Sequence, residues 1–224
     1  MSYRPGQTVT LTHANGLAIS GKITGILQVG DGVSQVIIIS LSGNLPEGVK
    51  MPNVVVGKIY DSNYLHDPTD RNPIDLSQYP TQLCFAEVKA YEILRTHPEV
   101  AKYLAPYYGQ YRFKPSADPN GYCAILLGLC EGPHPYGLSP QIADKVVKQL
   151  KPIIVKCHEL GIANGDLAPR NLLVDPQTGE LRKVLDWSAS IMLGVRKAAF
   201  RAKCVEDMDA LDELPAKLSE KDGR

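Results

Sequence analysis

The chain has 224 residues, 44% of them hydrophobic and 21% charged, which is enough apolar material for one large domain or two small lobes with a real core. Lys plus Arg and Asp plus Glu both number 24, so no bulk charge calls for nucleic acid or an anionic membrane as a partner. No apolar run reaches the length of a membrane span and the first residues, Met1 to Gly6, hold no apolar signal core, so a soluble, cytoplasmic protein is expected.

The first 60 residues read as a strand meander. Thr8 to Thr12 alternates and is β-branched. Asn15-Gly16 predicts a two-residue hairpin turn, with Leu17 to Ser20 as the return strand. Ile23 to Val29 and Ser34 to Leu41 form a second pair, and Val54 to Tyr60 is the next strand. After an irregular stretch, Leu83 to Arg95 is helical, with Phe85, Val88, Tyr91 and Leu94 as its apolar positions and Thr96-His97-Pro98 as its stop. Leu104 to Phe113 is aromatic-rich and partly extended, and Tyr122 to Leu127 is a buried strand. Residues 128–138 form a linker rich in Gly and Pro.

Ser139-Pro140 opens the longest helix, which runs to about Leu160 and stops at Gly161. Short strands near Leu172–Val174 and Lys183–Leu185 flank the turn Pro176-Gln177-Thr178-Gly179. The tail from Val195 to Leu218 is helical and residues 219–224 are expected to be a disordered tail. A β-rich half with one helix therefore leads through a hinge into a helical half with a small β insertion, a two-lobed α+β plan. The expected parts are N-terminal hairpin strands over 1–19, an N-lobe over 20–127, the hinge 128–138 and a reduced C-lobe over 139–218.

The chemistry concentrates in Asn164-Gly165-Asp166-Leu167-Ala168-Pro169-Arg170-Asn171 and in Leu185-Asp186-Trp187-Ser188. Asp166 alone is a turn or cap residue. With Asn171 five positions on and Asp186 at a strand end, the set suits a proton-accepting carboxylate beside an amide and a second carboxylate on a hard cation. Lys58, on its valine-rich strand, either faces solvent or directs an ammonium at phosphates; if buried it needs a counter-charge, and Glu87 on the following helix is the candidate, with Glu92 its competitor. Gly30-Asp31-Gly32 is a plain hairpin turn or part of a phosphate loop.

Lys58, Glu87, Asp166, Asn171 and Asp186, in that order and with a hinge between, resemble the strand lysine, helix glutamate, catalytic loop and metal loop of the protein kinase-like superfamily. The resemblance covers roughly residues 20–190 and implies a two-lobed fold with an antiparallel β-sheet N-lobe and a reduced helical C-lobe. It implies ATP and Mg2+ as cofactors. Asp166, Lys58 and Glu87 would be catalytic. Lys58, Gly30, Gly32 and the hinge residues Leu129, Cys130 and Glu131 would bind nucleotide, and Asn171 and Asp186 would bind the metal.

The pattern also departs from that family. Asn164-Gly165-Asp166 replaces His-Arg-Asp and is similar to the small-molecule branch of aminoglycoside and choline phosphotransferases, and to small fungal kinase-like proteins with Gly-Asp-x-Ala-Pro-Arg-Asn loops. Ala168 stands where the loop lysine would be, with Arg170 nearby as an alternative charge. Asp-Phe-Gly becomes Asp186-Trp187-Ser188, which removes the freedom of glycine, and the glycine loop has no third glycine. No Ala-Pro-Glu follows Asp186, and a full protein-substrate platform is not expected from the residues after it.

The expected activity is transfer of the γ-phosphoryl group to a hydroxyl acceptor, a small molecule before a protein. The alternative is a pseudokinase acting as a nucleotide-binding or scaffold module, and nucleotidyl transfer is a third reading. Neither nucleic acid nor membrane is expected as a partner. The five cysteines are scattered with no CxxC, so free thiols are expected and a zinc site is not. The five histidines, His13, His66, His97, His134 and His158, show no ligand spacing.

Overall fold

A computed structural model describes residues 3–28, 34–42, 50–61, 79–115, 121–194 and 197–221. The chain divides into two compact units, Met1–Val88 with Pro106–Leu129, and Lys89–Ala105 with Cys130–Arg224. The glycines of the expected phosphate loop, Gly30 and Gly32, lie outside the described residues.

In the first unit, β-branched alternation produces β1 (Thr8–His13), β2 (Ala18–Gln28), β3 (Ser34–Ser42) and β4 (Val54–Tyr60), joined later by β5 (Tyr107–Pro115) and β6 (Tyr122–Leu127). Neighbouring strands are antiparallel. Their order β1-β2-β3-β4-β6-β5 closes into a barrel, because β1 pairs with β2 along one side and with β5 along the other. The expected sheet is thus a closed one. Inward positions, among them Leu11, Ile23, Ile37, Ile39, Ile59 and Phe113, are fully buried and fill the interior.

Two local readings change. The first hairpin loop holds three residues, because His13 and Leu17 already pair through a His13 N–H to Leu17 carbonyl bond of 2.8 Å. Gly16, at φ +86°, takes the left-handed position this longer loop requires. The strands expected at 17–20 and 23–29 are one strand, β2, whose pairing with β3 shifts register between Ile23 and Gly25 and between Ile26 and Gln28.

Helix α1 (Tyr79–Leu94) starts earlier than Leu83 and buries Cys84, Val88, Tyr91 and Leu94. Phe85, expected on the buried face, is 51% exposed, because the apolar stripe is centred on Cys84. Cys84 is also bonded to Cys123 of β6 with Cα atoms 6.4 Å apart. The expectation of five free thiols is therefore corrected for this pair. Cys130, Cys157 and Cys204 remain free.

In the second unit, Pro98 starts a short helix, α2 (Pro98–Ala101), rather than only ending the preceding one. Helix α3 (Pro140–Glu159) has Ser139 as N-cap, accepting the Ile142 N–H at 3.4 Å. Its buried face, Ala143, Val146, Leu150, Ile153, Ile154 and Cys157, packs against α4 (Lys197–Ser219). Between them lie β7 (Ile162–Ala163), β8 (Leu172–Val174), β9 (Leu181–Val184) and β10 (Ile191–Met192), paired as β7 with β10 and β8 with β9. The tail expected to fray from residue 219 is held at Glu220, whose carbonyl accepts the Gly137 N–H at 2.8 Å; residues 222–224 lie outside the described residues.

Candidate active site

Among the described residues, the first unit holds a buried ion pair. Lys58 sits on β4 opposite Ile125 of β6, a central position flanked by strands on both sides. Its Nζ lies 2.8 Å from Glu87 Oε2, and the two side chains are 6% and 0% exposed. So deep a pair survives only when both charges are matched and their remaining hydrogen-bonding capacity is used. Tyr60 also donates its hydroxyl to Glu87 Oε2, and the ammonium lies 5.7 Å from the Tyr60 ring centroid. The disulfide grips the same helix one turn before Glu87. Glu92, the competing candidate, is exposed and pairs with Lys89 at 2.7 Å.

The second unit presents the acidic loops. The chain leaves β7, turns through Asn164 and Gly165, and reaches Asp166 before a 3-10 turn over Pro169–Asn171 carries it into β8. Gly165 adopts φ +82°, and a Cβ there would lie 2.6 Å from the Ala189 carbonyl, so only glycine fits. Buried Asp207 of α4 anchors this turn. It accepts the Asn164 N–H and the Gly165 N–H, each at 2.8 Å, and its Oδ2 lies 2.8 Å from His158 Nε2. The same carboxylate, after burial itself, helps push the neighbouring Cys157 thiol up to about 12.

Asp166 is held from three directions. Its N–H donates to Asn164 Oδ1 at 3.0 Å. Asn171 Nδ2 donates to its carbonyl at 2.8 Å and to its Oδ2 at 2.9 Å. Arg170 Nη2 donates to both carboxylate oxygens, at 2.6 and 2.8 Å. The nearby charge considered for Arg170 is therefore spent on Asp166 itself.

Asp186 follows β9 with φ +54°, the one non-glycine residue at positive φ among those described. Aspartate is among the few non-glycine residue types that visit this region, and it stays there when its surroundings hold it. Asn164 Nδ2 donates to the Asp186 carbonyl at 3.4 Å, so one buried amide touches both acidic loops. The Ser188 N–H and hydroxyl both donate to Asp186 Oδ1, at 3.1 and 2.6 Å. Trp187 is fully buried and donates its indole N–H to the Val184 carbonyl at 3.3 Å.

A divalent cation fits these donors in kind. Asn171 commits its amide nitrogen to Asp166, which leaves its amide oxygen to accept, and Asp186 supplies a carboxylate. Mg2+ favours one or two such oxygens, completing its shell with phosphate and water. Among the described residues no group of three or more His, Cys, Asp or Glu is arranged as a metal cage. Leu129 and Glu131 of the expected hinge are exposed and Cys130 is half-buried, with the division between the two units falling after Leu129.

The structure thus brings Lys58 to Glu87, and Asp166 to Asn171, with Asp186 tied to that loop through Asn164. Sequence reasoning passed over Asn164 as a site residue and passed over Asp207. The signal for Asp207 was present, as a carboxylate in the apolar stripe formed by Phe200, Leu211, Leu214 and Leu218 of α4.

No protein-family model matches the chain. MAP kinase-activated protein kinase 5 of Mus musculus and of Homo sapiens are each 28% identical to it over 95 residues, covering 39% of this chain and 20% of theirs. Calcium-dependent protein kinase 4 of Arabidopsis thaliana is 24% identical over 109 residues, 45% of this chain and 22% of that protein. The chain spans about a fifth of the length of these curated relatives. Among solved structures, vaccinia related kinase 3 superposes with a TM-score of 0.50 at 12% identity, over 86% of this chain and 53% of that one. Together these likenesses support a protein kinase-like superfamily and an α+β kinase-like fold, to which this chain adds a closed barrel.

Proposed function

We propose that the chain is an ATP- and Mg2+-dependent phosphotransferase that moves the γ-phosphoryl group to a hydroxyl acceptor, a small molecule in preference to a protein. The observation that carries this reading is the hydrogen-bonded set formed by Asp166, Asn171, Asn164 and Asp186. Phosphoryl transfer asks the protein chiefly for positioning and charge neutralisation. Lys58, oriented by Glu87, neutralises nucleotide phosphates. Asp166 orients the acceptor hydroxyl and takes its proton. Asn171 and Asp186 hold the cation, which when bound neutralises the charge of the phosphates. Gly30, Gly32 and the backbone of Leu129, Cys130 and Glu131 complete the nucleotide contacts. The Gly165-Asp166 pair, resembling small-molecule phosphotransferases, favours the small acceptor.

A second reading, a nucleotide-binding module without turnover, draws on one specific feature. Arg170 occupies both oxygens of Asp166, which competes with an incoming hydroxyl. Two experiments separate the readings. Thermal stabilisation by ATP with Mg2+, lost in Lys58→Ala and Asp186→Asn, is expected under both; its absence in the unmutated chain rejects both. ATP consumption across a panel of hydroxylated metabolites, abolished in Asp166→Asn, is expected for the enzyme. Tight nucleotide binding with no turnover on any acceptor assigns the chain to the binding module.

A further inference from the structure

The position where the kinase pattern has glycine after the metal carboxylate is occupied by Ser188, and the change reads first as a loss of backbone freedom. In the folded chain it supplies a bond that glycine cannot. The Ser188 hydroxyl donates to Asp186 Oδ1 at 2.6 Å while its own N–H reaches the same oxygen at 3.1 Å. The shorter contact falls in the range of charge-assisted O–H to carboxylate bonds. A terminal carboxylate torsion is broad and nearly two-fold, so without such donors the group swings easily. Two donors converging on one oxygen set the plane of the carboxylate.

The rest of the loop is pinned to match. Asp186 is held at φ +54°. Its carbonyl receives Asn164 Nδ2 at 3.4 Å. Trp187, immediately after it, is anchored by its indole N–H on Val184, and its carbonyl accepts the Ser190 N–H at 3.2 Å. Backbone and carboxylate are therefore held by different bonds, and Ser188 acts on the carboxylate.

We infer that Ser188 is a positioning residue for the cation, presenting the Asp186 carboxylate in one orientation through its hydroxyl. The inference rests on the nucleotide-and-metal reading above. It predicts that a hydroxyl, and not glycine, belongs at this position. Partners of metal-ligating groups of this kind typically change metal affinity 10- to 100-fold when removed.

The test is a Mg2+ titration of the full chain at saturating ADP, followed by thermal shift, in the unmutated protein and in S188A, S188G, S188T and D186N. The half-saturating Mg2+ concentration is expected to rise about 10-fold in S188A and equally in S188G, and to return toward the unmutated value in S188T. The melting temperature without ligand is expected to fall by a few degrees in S188A and S188G, the cost of one hydrogen bond. The half-saturating Mg2+ concentration, read from each variant's own unliganded baseline, separates cation positioning from that structural loss. S188G binding Mg2+ as tightly as the unmutated chain, or S188A and S188T weakened alike, overturns the inference while D186N still loses the response, leaving the nucleotide reading intact. No response of the unmutated chain to ADP with Mg2+ overturns that reading and this inference with it.

Discussion

The two units hold charge in opposite ways. In the barrel unit, Lys58 and Glu87 are enclosed, and each charge is matched by the other, with Tyr60 adding a donor to the carboxylate. In the helical unit, Asp166 is 32% exposed at its side chain, and what holds it are the Asn171 amide donor, the Asn164 amide oxygen that accepts its N–H, and one arginine, all from its own loop. An enclosed ion has no water to fall back on, so its partner is compulsory. A half-exposed carboxylate is stabilised cheaply and can exchange partners. The contrast suits a fixed ammonium in one unit and an adaptable carboxylate in the other.

Breaking the enclosed pair is expected to have the largest effect. Glu87→Ala removes the carboxylate that lies 2.8 Å from the enclosed Lys58 ammonium and should cost about 3–5 kcal/mol by denaturant unfolding. A loss below about 1 kcal/mol, the value of a surface pair, would erase the contrast. Next comes the Cys84–Cys123 bond, which fastens α1 to β6 across 39 residues of chain. Reduction or a Cys84→Ser, Cys123→Ser double variant should remove about 2–4 kcal/mol. Equal melting temperatures with and without reductant would show the bond to be idle.

The helical unit should respond less to single changes. Asp207→Asn keeps one acceptor oxygen but replaces the other with an amide donor facing the Asn164 or Gly165 N–H. About 1–3 kcal/mol should follow, with faster hydrogen exchange at those two amides as the local readout. Arg170→Ala sharpens the comparison from the other end. Its guanidinium is 62% exposed, so stability should move by less than about 1 kcal/mol. A larger fall would mean that the arginine is part of the fold rather than an exchangeable partner of Asp166.

Much of this was legible from the chain alone, for identifiable reasons. Strands β4 and β6 are short β-branched or apolar runs bounded by polar breaks, and their limits were read directly. Helix α3 carries its own start in Ser139-Pro140. The acidic loops stood out because Asp166 and Asn171 are close in sequence. What escaped notice depends on distant segments meeting. Barrel closure needs Thr10 to find Lys114, and no local pattern announces that pairing. The two-residue strands β7 and β10 are too short to show a period. Cys84 and Cys123 look unrelated until α1 lies on β6, and that same packing turns Phe85 outward. Ser188 looked like damage because its hydroxyl acts only once the loop has folded back on Asp186.

The return of β1 to β5 has a consequence for how anything could attach to the barrel unit. A sheet with a free margin invites a guest peptide to join as one more strand, reading main chain rather than side chains. Here every strand already has a neighbour on each flank. Among the described residues that mode of recruitment is left only to the end of β2, Thr24 to Gln28, which runs past its last β1 pair with β3 on one side, and elsewhere a visitor must be selected by the chemistry of outward-facing side chains.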